Sequence, residues 1–247
     1  VNQLKETLDI SSININSSKK NHFYKRLLNN QNNKKNSIIA EIKRRSPSKG
    51  MLAENLNVSK TVSEYESGGA ACISVLTEKD YFNGSNEDLL EAKNSINLPL
   101  LRKDFMLDPI QIYESKMLGA DCVLLIVSAL SQSTYKQLFE LASKLDLDVL
   151  TEVHDIYELD FALSQNSKLI GINNRNLKSF DVDINTSIDL ARTINDNDIV
   201  LVSESGISSS SDIITLNSSG IYTFLVGEHL IKSNNITNEL GVLINGE

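Results

Sequence analysis

The chain has 247 residues, with 24 Lys+Arg against 32 Asp+Glu for a formal net charge of −8, and is 40% hydrophobic and 23% charged. That apolar content can bury a sizeable core, which excludes a disordered chain. The acidic balance excludes a generally cationic binder of nucleic acid or anionic membrane, and it makes any local basic cluster informative.

Taken in chain order, the first 36 residues predict a helix at Val1–Ile10 and a second around Asn21–Leu28. The opening VNQLKETLDI has no apolar signal-peptide core, and nowhere do about 18 apolar residues run together. The expectation is a cytoplasmic chain without membrane contact. From Ser37 onward one unit recurs, an apolar β-branched run followed by a polar turn and a helix-spaced segment. The predicted strands are Ser37–Lys43, Ala71–Leu76, Leu98–Lys103, Cys122–Val127, Val149–Val153, Leu169–Asn173, Ile199–Ser203 and Tyr222–Val226. The predicted helices are Val58–Ser67, Asn86–Ser95, Pro109–Leu118, Gln132–Leu145, Ile156–Ser164, Asn185–Ile194, Ser209–Asn217 and Asn235–Ile244. Asp108-Pro109, Ser131 and Asp155 supply N-caps, and Gly119 a C-terminal stop.

Continuous rather than alternating apolar strands indicate a parallel sheet covered on both faces. Eight units in about 250 residues fit a closed (β/α)8 TIM barrel. A doubly wound open sheet is the alternative, but its Gly-rich GxGxxG turn is absent. The expected organisation is a single α/β domain, with residues 1–36 as an N-terminal helical extension and 37–247 as the barrel. Cys72 and Cys122 sit inside apolar runs and read as buried small hydrophobes of a reducing compartment.

Barrels of this kind keep their chemistry at the C-terminal strand ends. Polar residues collect there: Glu41-Ile42-Lys43-Arg44-Arg45, Arg102-Lys103-Asp104, Thr151-Glu152-Val153-His154, Asn173-Asn174-Arg175 and Ser203-Glu204-Ser205-Gly206. Alternation puts Glu41, Lys43 and Arg45 on one face, Lys103 with Leu101, and Glu152 with Leu150. Glu41, Lys43, Lys103 and Glu152 should converge in a partly desolvated mouth. There, like charge is expected to lower lysine pKa values and burial to raise those of glutamate. His154 reads as a structural rim residue. The small-residue turns Ser205-Gly206 and Val226-Gly227, with the loop Ser46-Pro47-Ser48-Lys49-Gly50, suit a phosphate held by backbone N–H groups.

Several segments resemble the indole-3-glycerol phosphate synthase family: IIAEIKRRSPSKG (Ile38–Gly50), GGAACISVLTEKDYFNGS (Gly68–Ser85), LPLLRKDFMLDPIQIYESKMLGADCVLLIVSAL (Leu98–Leu130), LTEVHDIYEL (Leu150–Leu159), IGINNRNLKSFDVD (Ile170–Asp183), LVSESGI (Leu201–Ile207) and FLVGEHLI (Phe224–Ile231). The resemblance implies a lyase of tryptophan biosynthesis. It would close the indole ring of 1-(2-carboxyphenylamino)-1-deoxyribulose 5-phosphate, releasing CO2 and water, with no metal or organic cofactor. It implies Lys103 as general acid of ring closure and Glu152 as acid/base of the later dehydration. Lys43 is implied at the substrate carboxylate with a share in proton transfer, and Glu41 as holding the lysines. Asn173 and Arg175 would orient substrate, and Glu204 and Ser205 would contact ribulose and phosphate. Ser205, Gly206 and Gly227 would form the phosphate cradle, with Arg45 as its cation beside Ser46. Pro47, Phe82, Phe105 and Leu124 would surround the aromatic ring. His229 stands where many members have Ser, and Glu78 where Asp is frequent.

Two rivals make different demands. A phosphoribosylanthranilate isomerase would need a Cys/Asp acid–base pair, and a non-catalytic pathway scaffold would have lost an acid or base. From its length the chain is expected to carry no fused isomerase. The expected partner is a small anionic substrate, the chain being a monomer open to association with other tryptophan-pathway enzymes.

Overall fold

The structure is a computed structural model that describes residues 22–245; the expected helix Val1–Ile10 lies outside the described residues. Eight parallel strands close into a barrel: β1 (Ser37–Ile42), β2 (Cys72–Leu76), β3 (Leu100–Lys103), β4 (Cys122–Ile126), β5 (Asp148–Val153), β6 (Leu169–Asn173), β7 (Val200–Glu204) and β8 (Thr223–Val226). Each strand pairs with its chain neighbours, and β8 closes on β1 with Ser37 opposite Thr223 and Ala40 opposite Val226.

The helices that precede and separate these strands are α1 (His22–Asn32), α2 (Val58–Ser67), α3 (Asn86–Ser95), α4 (Pro109–Met117), α5 (Gln132–Lys144), α6 (Ile156–Ser164), α7 (Asn185–Ala191) and α8 (Ser210–Asn217). Two more, α9 (Glu228–Ile231) and α10 (Ile236–Asn245), follow β8. Side-chain caps fix most starts. Asn57, Ser85, Ser131 and Asp155 each accept an N–H of the first turn, while Asp108 with Gln111 and Ser209 with Asp212 form full capping boxes. Helix α7 stops three residues short of the expected Ile194. There Thr193 and Ile194 donate to carbonyls three residues back, tightening the chain out of the α-helix. A two-stranded ribbon (Arg45–Ser46 with Gly50–Met51) and the four-residue α9 had no periodicity to announce them.

Alternation along each strand divides the core into two shells. Ile38, Ala40 and Ile42 face the helices, whereas Ile39 faces the barrel axis beside Leu101, Leu124, Leu150, Leu169, Val200, Val202 and Leu225. Cys72 and Cys122 belong to that inner shell as free thiols, and burial pushes both pKa values well up. Phe23 and Leu27 of α1 are fully buried in the same inner cluster, so α1 closes the floor of the barrel. Arg102, one residue before Lys103, faces outward. It is 3% exposed and bonds Thr77, Ser115 and Asn86, with Glu114 Oε2 at 2.6 Å. This cage ties the end of β3 to α3 and α4.

Truncating Leu27 to Ala should lower the unfolding free energy by about 2–5 kcal/mol. Urea denaturation checks this, and a loss under ~0.5 kcal/mol would mean that the floor contributes little to the fold.

Candidate active site

At the C-terminal rim the inward positions change from aliphatic to charged. Lys103 Nζ lies 3.2 Å from Glu41 Oε2 and 3.0 Å from Glu204 Oε2, and Lys43 Nζ lies 2.5 Å from Glu41 Oε1. Both glutamates are at most 2% exposed, so each charge here has left water and needs a partner. Gly171 on β6 makes room for this arrangement: a Cβ there would sit 2.1 Å from Glu204 Oε1. Gly227 does the same for Glu41, whose Oε1 would lie 2.4 Å from an added Cβ.

These contacts reverse the sequence expectation for the lysine and for two of the glutamates. Burial alone would lower the Lys103 pKa, but the opposite charges of Glu204, Glu41 and Glu152 outweigh it and push the pKa up. Burial would raise Glu41, yet Lys103 and Lys43 together hold it at about 2. Its ionisation therefore stabilises the fold above its ordinary 4.5, and that contribution is lost as pH falls toward 2. Glu152 is likewise lowered: His154, Lys103 and Asn173 overcome its burial. Glu204, for which the sequence carried no such expectation, moves upward, because desolvation and the charges of Glu152 and Glu41 exceed what Lys103 returns.

Glu152 Oε1 accepts from Asn173 Nδ2 at 3.1 Å. Asn173 Oδ1 in turn accepts from Ser205 Oγ and from the Arg175 backbone N–H, both at 3.0 Å, so one amide links β5, β6 and the turn after β7. Asn174, pointing outward, bonds Ser203, Ser187 and the Ser205 carbonyl and anchors that turn from behind. Ser205 (φ 67°) and Gly206 (φ 84°) are both left-handed, and Val182 fills the space beside Gly206, 2.5 Å from where a Cβ would lie.

A cavity of about 400 Å³ opens above the charges. Its polar floor includes Glu41, Lys43, Lys103, Glu152, Asn173, Arg175 and Ser205, and its apolar wall includes Pro47, Phe82, Phe105 and Leu124. Ser46 lines it too, its hydroxyl accepting from the Lys49 N–H. Glu204 sits beneath, reaching the cavity through Lys103. Gly206 lines an adjoining hollow of about 420 Å³ that shares Arg175 and Glu228 with the first.

Gly227 lines neither hollow, and Arg45 is a second exception. It is exposed in the ribbon and lines neither hollow, because β1 ends at Ile42 and alternation no longer governs the chain beyond it. Lys43 and Lys49 are instead the loop cations near Glu228, where with Lys232 they lower its pKa against burial. Sequence reasoning also missed Leu177 and Phe180, which line the cavity from the loop after β6. Two apolar side chains within the polar stretch NRNLKSFDVD were the available signal. Glu78 shapes the loop after β2 by accepting the N–H groups of Asp80, Tyr81 and Phe82, and His229 pairs with Glu239 at 2.6 Å.

The fold agrees with that of solved structures found by comparison. A solved 3-hexulose-6-phosphate synthase superposes with a TM-score of 0.66 at 13% identity, covering 85% of this chain and 99% of that one. An N-acetylmannosamine-6-phosphate 2-epimerase from Clostridium perfringens gives 0.61 at 14% identity, covering 81% and 89%. These likenesses concern the barrel alone. In sequence, the indole-3-glycerol phosphate synthase of Delftia acidovorans is 48% identical over 201 residues, 79% of this chain and 75% of the relative. The family model described as indole-3-glycerol phosphate synthase matches residues 1–243, and the chain belongs to that family.

Proposed function

We propose that the charged mouth carries out the family's ring closure on 1-(2-carboxyphenylamino)-1-deoxyribulose 5-phosphate. The observation that carries this reading is Lys103, held between Glu41 and Glu204 at 3.2 and 3.0 Å and facing Glu152 across the same cavity. The carboxyl-bearing aromatic carbon attacks the ribulose C2 carbonyl, and the carbonyl oxygen takes a proton. Departure of CO2 returns the C–C bonding pair to the ring and restores aromaticity. Loss of the new hydroxyl as water, with a proton leaving the neighbouring carbon, completes the indole.

Lys103 suits the first proton transfer, since its carboxylate neighbours keep it charged and a developing alkoxide becomes a fourth anion for it to stabilise. Glu152 suits the later deprotonation because it is held ionised. Lys43 and Arg175 offer cations to the substrate carboxylate, while Pro47, Phe82, Phe105 and Leu124 offer a dry wall to the aromatic ring. The phosphate is assigned to the Ser205-Gly206 turn and the start of α9 at Gly227, with Lys49 in place of Arg45 as the nearby loop cation. The isomerase alternative has no support in the site, as both cysteines are buried in the barrel's inner shell.

We also infer one barrel domain with residues 1–36 as its extension, working as a cytoplasmic monomer. Support comes from two free buried thiols and from exposed apolar residues that sit singly on separate helices, Tyr157 on α6, Ile214 on α8 and Met117 on α4. Among the described residues no helix is long and apolar enough to cross a membrane. Light scattering of the purified chain tests the monomer.

The purified chain should form the fluorescent indole product from the carboxyphenylamino substrate, and no turnover by folded protein would sink the reading. Lys103→Ala should lower kcat on the order of 10²-fold or more, and Glu152→Gln by a similar factor, with smaller changes in KM. Near-normal rates in both would refute the assignment. Gly171→Ala should cost roughly tenfold or more in kcat by displacing Glu204, while circular dichroism shows an intact fold.

A further inference from the structure

His154 takes no part in the scheme above, and the sequence placed it on the rim as a structural residue. Its surroundings are more specific than that. The ring follows the end of β5 and is 15% exposed. Nδ1 lies 3.0 Å from Glu158 Oε2, and the same oxygen accepts the His154 backbone N–H at 2.9 Å. Glu158 belongs to the first turn of α6, which Asp155 caps. This short segment fixes the imidazole at one end. The other nitrogen, Nε2, is buried without a hydrogen bond and faces Glu152 Oε1 at 3.3 Å.

We propose that His154, clamped between Glu158 and Glu152, is a positioning residue that holds the Glu152 carboxylate in place and in its ionised state; this rests on the functional reading above. A neutral imidazole has one donor and can satisfy one carboxylate, whereas the imidazolium donates from both nitrogens. Carboxylates at both ends therefore select the charged ring. Burial would lower its pKa, but the two glutamates push it up to about 10.

The need for a second cation follows from the charge count around Glu152. Lys103 on β3 faces it, but that ammonium also serves Glu41 and Glu204. Glu204 on β7 repels it, and Asn173 on β6 donates a neutral bond. Without His154, one shared lysine and one amide would oppose the burial of Glu152. Around His154 itself, Asp155, Arg175, Lys178, Asp181 and Asp183 line the neighbouring hollow, which therefore carries both signs of charge. Glu158 and Glu152 alone contact its nitrogens in ion-pair geometry among the described residues.

Two measurements on the full chain test the proposal. The sequence has 3 histidines, so imidazole resonances can be assigned through His154→Gln. In the wild type the His154 ring should stay protonated beyond pH 8, well above its ordinary 6.5, and should titrate lower in Glu158→Gln. In His154→Gln, which keeps an amide donor but removes the charge, the acid limb of kcat should move up by about 1–3 pH units with KM little changed. A wild-type ring titrating near 6.5, or an unmoved acid limb in folded His154→Gln, overturns the proposal. If His154→Gln does not fold, the acid limb and ring titration of Glu158→Gln decide in its place. Absence of turnover in the wild type would instead defeat the ring-closure reading, and the ring titration alone would then decide the proposal.

Discussion

The ammonium of Lys103 inside the barrel mouth is the interaction on which the site depends. An isolated buried charge would neutralise itself or unfold its surroundings, so its persistence requires carboxylates within contact distance and few routes for water. Glu41 and Glu204 meet that requirement directly and Glu152 through space. Lys43 and His154 then balance the carboxylate excess that those partners create. With Glu158 on the far side of His154, four carboxylates and three cations make a strongly polar cluster of small net charge. Such an arrangement stabilises charge that moves during a reaction at little reorganisation cost.

Steric allowances are as important as charges. Gly171 and Gly227 look like an ordinary strand glycine and an ordinary turn glycine, and the sequence assigned the second to phosphate. Each also leaves the volume that a glutamate side chain occupies. Here the backbone conformation does not require glycine, since neither residue is left-handed. The requirement is close approach. A hydrogen-bond relay through Asn173 then extends the order of the cluster to the Ser205 turn, so the charged cluster and that turn share one scaffold.

The barrel was legible because each strand is a continuous apolar run and most helices open on a capping side chain, and both are local signals. Strand alternation also placed Lys103 with Leu101 and Glu152 with Leu150 correctly on the inner face. It failed for Arg45, where the regular strand had already ended, and it carried no information about the ribbon or α9. The pKa directions of Lys103, Glu41 and Glu152 were misread for a different reason. The convergence of strand-end residues suggested crowding of like charge, whereas the fold interleaves opposite charges from β1, β3, β5 and β7. Pairing distances of that kind arise from closure of the sheet, which no local pattern encodes. The role of His154 depended on the turn into α6, which bends the chain so that one ring meets two carboxylates.

The floor formed by Phe23 and Leu27 gives the barrel the form of a vessel with one neck. Whatever enters or leaves the reacting centre must use that neck. For a reaction that consumes one large molecule and liberates one large and two small ones, traffic becomes sequential: the small products have to slip past a bulky occupant or wait behind it. The opening is framed by loops, including the stretch carrying Leu177 and Phe180, and it is they rather than the wall of strands that bound its width.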